Sequence, residues 1–226
     1  MPKFNPIFKY NTLNRVTKEQ GRHYETPYGV VPSVTTILST TSDKSGLMAW
    51  RKRLGDKEAT RQTVEAANIG TLVHKHLECY IEGSPRPQGN NVIHTMAREM
   101  SDKIINSDLK PLQEVWGLEA ALFYPELYAG TADCIGIYDG SPAILDFKTS
   151  KKNKKDEHVI DYFLQASAYA LAHNFQFGTN IKKFVILMTN REGGVQTWKV
   201  SGLDFQKYSD MWHQRLEAYW TMVSQS

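Results

Sequence analysis

The sequence predicts an α/β fold in which helices come first, an antiparallel three-stranded meander follows, and further helices then flank a second hairpin. Three observations lead to this prediction. Apolar residues recur at helical spacing between residues 45 and 105, whereas from residue 118 they alternate or run in short, strand-like lengths. Asp139-Gly140 separates two of these runs, and this dipeptide favours a hairpin turn. The 226 residues, 41% of them hydrophobic, suffice for one substantial core.

The chain divides into two parts on these grounds. Residues 1–43 are polar and rich in turn formers, which predicts an N-terminal arm with a hairpin near residues 22–31. Residues 44–226 are predicted to form a single domain, with a helical part at 44–110 and a sheet core at 111–226. The predicted helices are 45–54, 56–81, 92–105, 159–172 and 204–223. The predicted strands are 118–124, 128–138, 143–149, 184–189 and 195–200.

Composition excludes several classes of protein. No apolar run approaches the roughly 20 residues that cross a bilayer, and the first residues lack the apolar stretch of a secretory signal. Cys79 and Cys134 are the only cysteines, too few and too far apart for an iron–sulfur cluster, so we expect free thiols in a reducing, cytoplasmic compartment. The formal charge of +3 is only compatible with a polyanionic partner.

Three polar side chains on two adjacent predicted strands are the strongest indication of chemistry. Asp133 interrupts one apolar run, and Asp146 and Lys148 lie two residues apart in the next, so their side chains share a face. The hairpin at Asp139-Gly140 brings Asp133 alongside Asp146. Two carboxylates and a lysine at one place can hold a divalent metal, a water and a phosphate, which suits phosphodiester hydrolysis.

Two helices add polar residues at one-turn spacing. His74 and Glu78 lie at i and i+4 on the long helix, and Gly70 precedes them at a position where a close approach of another segment would explain a glycine. Gln165 and Tyr169 are spaced in the same way on the helix after the meander.

Each of these features also has a purely structural interpretation. A helical histidine is more often structural than a ligand, Asp133 would serve as a solvent-facing residue near a turn, and Asp146 with Lys148 would form a simple ion pair. Gln165 and Tyr169 would be helix-surface residues. Only the order and spacing of all these residues together favour a functional site.

That order resembles the RecB-like nucleases of the PD-(D/E)XK superfamily. The matching positions are His74, Gly130-x-x-Asp133, Asp146-x-Lys148 and Gln165-x-x-x-Tyr169. Segments 32–38, 47–54 and 70–78 further resemble the mitochondrial genome maintenance exonucleases and small phage exonucleases. The resemblance covers about residues 30–200. It implies a core of order α-β-β-β-α-β, with a central mixed sheet flanked by helices and an N-terminal helical elaboration.

The resemblance also implies roles for individual residues. Mg²⁺ or Mn²⁺ is the expected cofactor, and its implied protein ligands are His74, Asp133, Asp146 and the carbonyl of Phe147. Lys148 is expected to act on the attacking water and the phosphate. The implied positioning and supporting residues are Gln165, Tyr169, Gly70, Glu78 and Glu119, the last of these acting through water.

DNA with single strands or free ends is the partner that the resemblance implies. Two basic segments are candidates for phosphate contacts, and each is equally well explained as a solvated surface. Their residues are Arg51, Lys52, Arg53, Lys151, Lys152, Lys154 and Lys155. Trp50, Tyr124 and Tyr128 are candidates for stacking on bases, although core packing also explains Trp50.

The sequence departs from the family pattern in ways that shape the expectation. No Pro-Asp dipeptide precedes Asp146-x-Lys148, the cysteine cluster of some relatives is absent, and there is no nucleotide-binding loop. The start does not read as a targeting peptide, which favours a phage or bacterial exonuclease of DNA processing, replication or recombination. A structure-specific endonuclease with the same site and a catalytically silent nucleic-acid-binding module remain the alternatives.

Overall fold

A six-stranded mixed sheet forms the centre of the computed structural model, which describes residues 1–225. The strands of the chain are β1 (Lys3–Phe4), β2 (Asn14–Lys18), β3 (Gly21–Thr26), β4 (Gly29–Pro32), β5 (Leu112–Tyr124), β6 (Tyr128–Tyr138), β7 (Ser141–Ser150), β8 (Lys183–Asn190) and β9 (Val195–Ser201). The order in the central sheet is β1-β5-β6-β7-β8-β9. β5, β6 and β7 pair antiparallel, as the meander predicts, while β7 and β8 run parallel. The mixed sheet implied by the resemblance is confirmed.

Helices cover both faces of this sheet. They are α1 (Val34–Thr41), α2 (Ser45–Leu54), α3 (Asp56–Glu82), α4 (Val92–Asn106), α5 (Ile160–Phe177) and α6 (Gly202–Ser224). α3 and α4 pack their buried apolar residues on one face, and α1, α5 and α6 pack theirs on the other. The predicted break at Gly55 is confirmed, since its φ of 79° ends α2 before α3 begins. Along the chain, the elements α4, β5, β6, β7, α5 and β8 follow one another, so the predicted order α-β-β-β-α-β is confirmed.

Two predicted element boundaries, the start of β5 and the end of α5, are wrong by five or six residues. β5 begins at Leu112, six residues before the predicted strand, because register shifts between Leu112 and Glu114 and between Val115 and Gly117 disturb the alternation of apolar residues. α5 continues to Phe177 instead of ending near residue 172, and Gly178 then ends it in the left-handed conformation.

A separate three-stranded antiparallel sheet, β2-β3-β4, lies beside β6. The predicted hairpin of residues 22–31 is confirmed as β3 and β4, whereas β2 was not predicted because its residues are polar and mostly exposed. Tyr24 and Val31 of this small sheet pack against Phe123 and Ala129 of the central sheet. The domain boundary at residue 43 stays a prediction.

The ladders of β5, β6 and β7 place three carboxylates close to one another. Cys134 pairs with Leu118 on one side and Leu145 on the other. Continuing both registers by one residue puts Glu119 and Asp146 on either side of Asp133. This arrangement brings Asp146 next to Asp133, as the hairpin argument predicts.

Candidate active site

Asp133 lies where β6 and β7 separate. The paired main-chain ladder of the two strands ends at Cys134 and Leu145. Beyond that pair, Asp133 Oδ2 accepts a hydrogen bond of 2.7 Å from the main-chain nitrogen of Phe147. The side chain thus takes the place of a ladder bond, which fixes the direction of its other oxygen.

A chain of buried polar contacts runs from β7 to α5. Lys148 Nζ donates to Asp146 Oδ1 at 2.8 Å and to Gln165 Oε1 at 3.2 Å. Gln165 Nε2 donates in turn to the Tyr169 hydroxyl at 3.1 Å. The Lys148 ammonium also lies 5.0 Å from the centre of the Tyr162 ring, a contact the sequence did not predict. The four residues that the family motif places on a strand and the following helix therefore meet in one network.

Of two glycines near the site, Gly130 leaves room for one of these contacts. A Cβ on Gly130 would lie 2.6 Å from the Tyr169 ring, so the glycine of Gly130-x-x-Asp133 is what allows Tyr169 to reach Gln165. A Cβ on Gly70 would meet Thr149 Oγ1 at 3.4 Å. The close approach predicted for Gly70 is therefore an ordinary contact with a side chain rather than with a main chain.

His74, Glu119 and Asp133 form a group able to hold a cation. One imidazole nitrogen and one oxygen of each carboxylate all lie within 4.8 Å of one another. His74 Nδ1 is 3.5 Å from Asp133 Oδ1. Glu119 is held at a φ of 45°, an uncommon conformation for a residue with a side chain and one that occurs often at functional sites. Its backbone is therefore constrained at the point where it faces the other two residues.

The donor set fits Mg²⁺ or Mn²⁺. Two carboxylates are the hard oxygen ligands that both ions prefer, and an imidazole is well tolerated by Mn²⁺. Asp146 is not part of the 4.8 Å group, since both of its oxygens face Lys148. Its Oδ2 lies 2.6 Å from Nζ, yet it makes no hydrogen bond of acceptable geometry, which leaves a buried acceptor beside the group. The assignments of Asp146 and of the Phe147 carbonyl as ligands stay predictions.

Burial and mutual charge shift the pKa values of all five ionisable groups. Burial raises the pKa of Asp146 to about 6, Lys148 opposes that rise, and Asp133 adds to it. Burial would lower the pKa of Lys148, but the carboxylates of Asp146 and Asp133 raise it overall. Burial acts against the charged forms of Asp133 and His74 too, yet their mutual attraction lowers the pKa of Asp133 and raises that of His74. Burial and then the charge of Asp133 raise the pKa of Glu119. This concentration of opposed shifts is typical of a functional site.

The two histidines of α3 point to different parts of the molecule. His74 faces Asp133, whereas His76 is fully buried and its Nδ1 accepts a hydrogen bond of 3.1 Å from Arg86. Burial and then the nearby Arg86 lower the pKa of His76 to about 4. Two residues along a helix turn the side chain by about 200°, which explains the separation. Glu78 stays near His74 on the same cavity, paired with Lys75 at 2.8 Å.

Two adjoining cavities open beside the cation-binding group. One, of about 200 Å³, includes Asp133, Lys148, Gln165 and Tyr169 in its lining, and the other, of about 600 Å³, runs along α3. The residues lining both are Arg15, Arg22, His74 and Glu119. The two arginines come from the small sheet and were missed in the sequence, because the polar N-terminal segment offers no pattern that points to a site.

The predicted basic segments lie on the surface of the protein. Arg51, Lys52 and Arg53 are on α2, where Arg51 pairs with Asp56 at 3.3 Å. In the loop after β7, Lys152 pairs with Glu192 at 3.4 Å, Lys155 lies 3.8 Å from Glu157, and Lys154 Nζ lies 5.5 Å from the centre of the Tyr162 ring. Ion pairs this exposed contribute little and leave the side chains free to change partners.

The three aromatic candidates for base stacking differ in position. Tyr128 is buried in the core, with its hydroxyl bonded to the Ala168 carbonyl, so the prediction that it stacks on a base is wrong. Tyr124 packs against Tyr128 and Phe175. Trp50 lines a third cavity of about 490 Å³, which Lys151 and Arg191 also line. Only Trp50 combines partial burial with a cavity of that size.

Comparison with known proteins shows that the chain is similar to a group of exonucleases. The chain is 27% identical over 202 residues to mitochondrial genome maintenance exonuclease 1 of Homo sapiens, an alignment that covers 84% of this chain and 58% of that protein. It is 26% identical over 210 residues to the protein of the same name from Xenopus tropicalis, with the same coverage. This chain is similar to the mitochondrial genome maintenance exonucleases over most of its length. The resemblance seen in the sequence is confirmed.

These exonucleases are longer than the part that aligns, since the chain spans 58% of the length of the two relatives described. No protein-family model matches the chain. Among solved structures, a protein of Eubacterium rectale assigned as an exonuclease matches with a TM-score of 0.47 and 14% identity, over 68% of this chain and 64% of that one. Within residues 1–225, no helix combines the length and the apolar composition that crossing a bilayer requires.

Proposed function

We propose that this protein is a metal-dependent deoxyribonuclease that hydrolyses phosphodiester bonds from free ends of DNA, with a preference for single strands. The observation that carries the proposal is the group of His74, Glu119 and Asp133 beside the ion pair of Asp146 and Lys148. The homology to exonucleases supports it.

The residues of the site have separate tasks in this proposal. His74, Glu119 and Asp133 would hold Mg²⁺ or Mn²⁺, with Asp146 and the Phe147 carbonyl as the further predicted ligands. The ion, when bound, lowers the pKa of water and offsets charge on the phosphate. Lys148, whose pKa the carboxylates of Asp146 and Asp133 raise against the effect of burial, would act on the attacking water and would offset charge on the reacting phosphate.

Gln165 and Tyr169 act through Lys148. Gln165 accepts one hydrogen from Nζ and is itself bonded to the buried Tyr169 hydroxyl, so the ammonium is aimed from the α5 side. Such preorganisation reduces the cost of placing the charge when the phosphate arrives. We assign both as positioning residues.

The DNA contacts of the proposal come from the basic segments and Trp50. Arg51, Lys52 and Arg53 on α2, together with the lysines of the loop that follows β7, would bind phosphates. Trp50 would stack on a base in its cavity, a mode that every base permits. Work in the cytoplasm of a bacterial or phage-infected cell, in DNA processing, replication or recombination, is part of the same proposal.

One digestion experiment separates this proposal from its alternatives. End-labelled linear and closed circular DNA, each single-stranded and double-stranded, would be incubated with Mg²⁺, Mn²⁺ or EDTA. We expect loss of linear single strands with either metal, intact circles and no reaction in EDTA. Cleavage of circular single strands would indicate a structure-specific endonuclease with the same site. Binding of DNA without any cleavage would indicate a silent binding module and would contradict the proposal.

A further inference from the structure

Two arginines of the small sheet face the candidate active site, and neither has a carboxylate oxygen within 4.0 Å in the described chain. Arg15 on β2 and Arg22 on β3 line both cavities beside His74 and Glu119. Other arginines of residues 1–225 form ion pairs, and Arg61, Arg86 and Arg191 are examples. Arg15 and Arg22 form no such pair within the described chain, and both are exposed to the cavity space.

The strand register explains why both side chains point the same way. Arg15 pairs directly with Tyr24, and Arg22 pairs with Thr17. Paired residues and residues two apart share a face, so Arg15, Thr17, Arg22 and Tyr24 lie on one side of the small sheet. Tyr24 is buried against the central sheet, and its hydroxyl lies 3.4 Å from Thr131 Oγ1, two residues before Asp133. The face with the arginines is therefore the face turned toward the site.

Contacts within the protein hold the side chain of Arg15 and the main chain of Arg22. The Arg15 guanidinium lies 5.8 Å from the centre of the Tyr24 ring. The carbonyl of Arg22 accepts hydrogen bonds from the main-chain nitrogen of Ser33 at 2.9 Å and from Thr36 Oγ1 at 2.8 Å. Arg15 and Arg22 are diagonal neighbours on the ladder of β2 and β3, so both side chains leave the same face of the small sheet from adjacent strands. An anion that reaches both guanidinium groups would be attracted by two positive charges.

The chemistry of the cavity selects the anion. A guanidinium presents paired donors that match the oxygens of a phosphate, and its charge is permanent. The hydroxyl side chains of Thr35 and Thr131 line the same space of about 200 Å³. We propose that Arg15 and Arg22 bind a phosphate group of the DNA strand next to the bond that is cut. This inference rests on the proposed function, and it assigns the small sheet as the wall that holds the substrate in place.

A competing explanation is that the arginines only balance the acidic group. Arg15 does act on Glu119, whose pKa its charge tends to lower. In that case the arginines would affect the carboxylates but would make no contact with DNA. The two explanations differ in the salt dependence of DNA binding, since only a phosphate contact releases counterions from the strand.

The test measures binding apart from cleavage. Fluorescence anisotropy of a labelled single-stranded oligonucleotide in EDTA would be followed across a salt series for the wild type, Arg15→Gln, Arg22→Gln and the double variant. Lys18→Gln is the matched control, because Lys18 is exposed on β2 but faces the other side of the sheet and lines neither cavity. Thermal melting of each variant checks that the fold is retained.

We expect each arginine variant to bind roughly tenfold more weakly, and the slope of log affinity on log salt to fall by about 0.7 per lost contact. Lys18→Gln should match the wild type. A double variant with wild-type affinity and slope overturns the inference, as does an equal effect of Lys18→Gln. Oligonucleotides with and without a 5′-phosphate, and with and without a 3′-phosphate, distinguish the source of the anion. If a terminal phosphate strengthens binding only in the wild type, the bound anion is the phosphate at that end of the strand. If all the oligonucleotides bind the wild type equally, the bound anion is an internal phosphodiester.

Failure here is distinguishable from failure of the proposed function. If the wild type cleaves DNA with metal but the arginine variants bind normally in EDTA, only the role of the small sheet is wrong. If the wild type binds through the arginines but never cleaves, the phosphate contact stands and the hydrolytic proposal is wrong.

Discussion

Lys148 and the lysines of residues 151–155 lie within eight positions of one another at the end of β7, yet their surroundings differ sharply. The Lys148 side chain is 18% exposed and contacts Asp146, Gln165 and Tyr162. Lys152 and Lys155 are 70% and 81% exposed, each with one weak partner. A lysine in the first setting has one orientation and a shifted pKa, whereas one in the second supplies charge without fixed geometry. We therefore expect Lys148 to govern turnover and the loop lysines to govern binding.

The largest effect is expected at the carboxylate that Lys148 contacts. Asp146→Ala should reduce cleavage of single-stranded DNA by at least about a hundredfold, since it removes a predicted metal ligand and leaves the Lys148 ammonium unpaired. Asp210→Ala, an exposed acid of α6, is the control and should cleave normally. Folded Asp146→Ala protein with undiminished activity would contradict the site assignment.

Lys148→Met should lower turnover by about a hundredfold while DNA affinity in EDTA changes little. Methionine keeps much of the volume of the side chain but cannot offset charge on a phosphate. Cleavage at saturating DNA and anisotropy in EDTA separate the two quantities. A loss of affinity as large as the loss of turnover would erase the contrast between Lys148 and the loop.

Substitutions of the two histidines of α3 should affect different properties of the protein. His74→Gln is expected to weaken Mn²⁺ binding and cleavage roughly tenfold or more with little change in melting temperature, because His74 faces Asp133. His76→Gln should lower the melting temperature and leave metal affinity unchanged, since His76 is buried against Arg86. Metal titration and thermal unfolding measure both. Equal losses of metal affinity in the two variants would refute the separation by helix face.

The smallest effect is expected from the loop. Replacing Lys151, Lys152, Lys154 and Lys155 by glutamine should reduce the slope of log affinity on log salt. Each lost phosphate contact lowers this slope by about 0.7, but Lys152 and Lys155 already have acidic neighbours, so we expect a smaller change than four full contacts would give. Turnover at saturating DNA should stay near the wild-type value. An unchanged salt slope would mean that the loop is only a solvated surface.

The element order and the shared face of Asp146 and Lys148 were predictable from the sequence because they depend on local periodicity and on spacing within one strand. The contact of Gln165 with Lys148 joins a strand to a helix, and only the family resemblance implied it. Glu119 was predicted only as a supporting residue, since its position beside His74 and Asp133 depends on register shifts and a left-handed φ in β5. Arg15 and Arg22 were not predicted at all. Their approach to the site arises from the docking of the small sheet through Tyr24, a long-range contact that no local pattern encodes.

Tyr128 shows the opposite failure. It was one of three aromatic candidates for stacking on a base, but its ring is buried in the core, with its centre 5.0 Å from that of Trp212. Composition does not distinguish an aromatic side chain of the core from one that lines a binding cavity. Trp50 differs from Tyr128 in its position, because the Trp50 side chain on α2 lines a cavity.

The central claim is that His74, Glu119 and Asp133 hold the divalent ion on which cleavage depends. Electron paramagnetic resonance of added Mn²⁺ would count bound ions in the wild type and in Asp133→Asn, and cleavage of linear single-stranded DNA would be measured on the same samples. We predict that the wild type binds Mn²⁺ and cleaves, and that Asp133→Asn, still folded, loses both together. Mn²⁺ binding and cleavage that both persist in Asp133→Asn, or cleavage by the wild type in EDTA, would contradict the account.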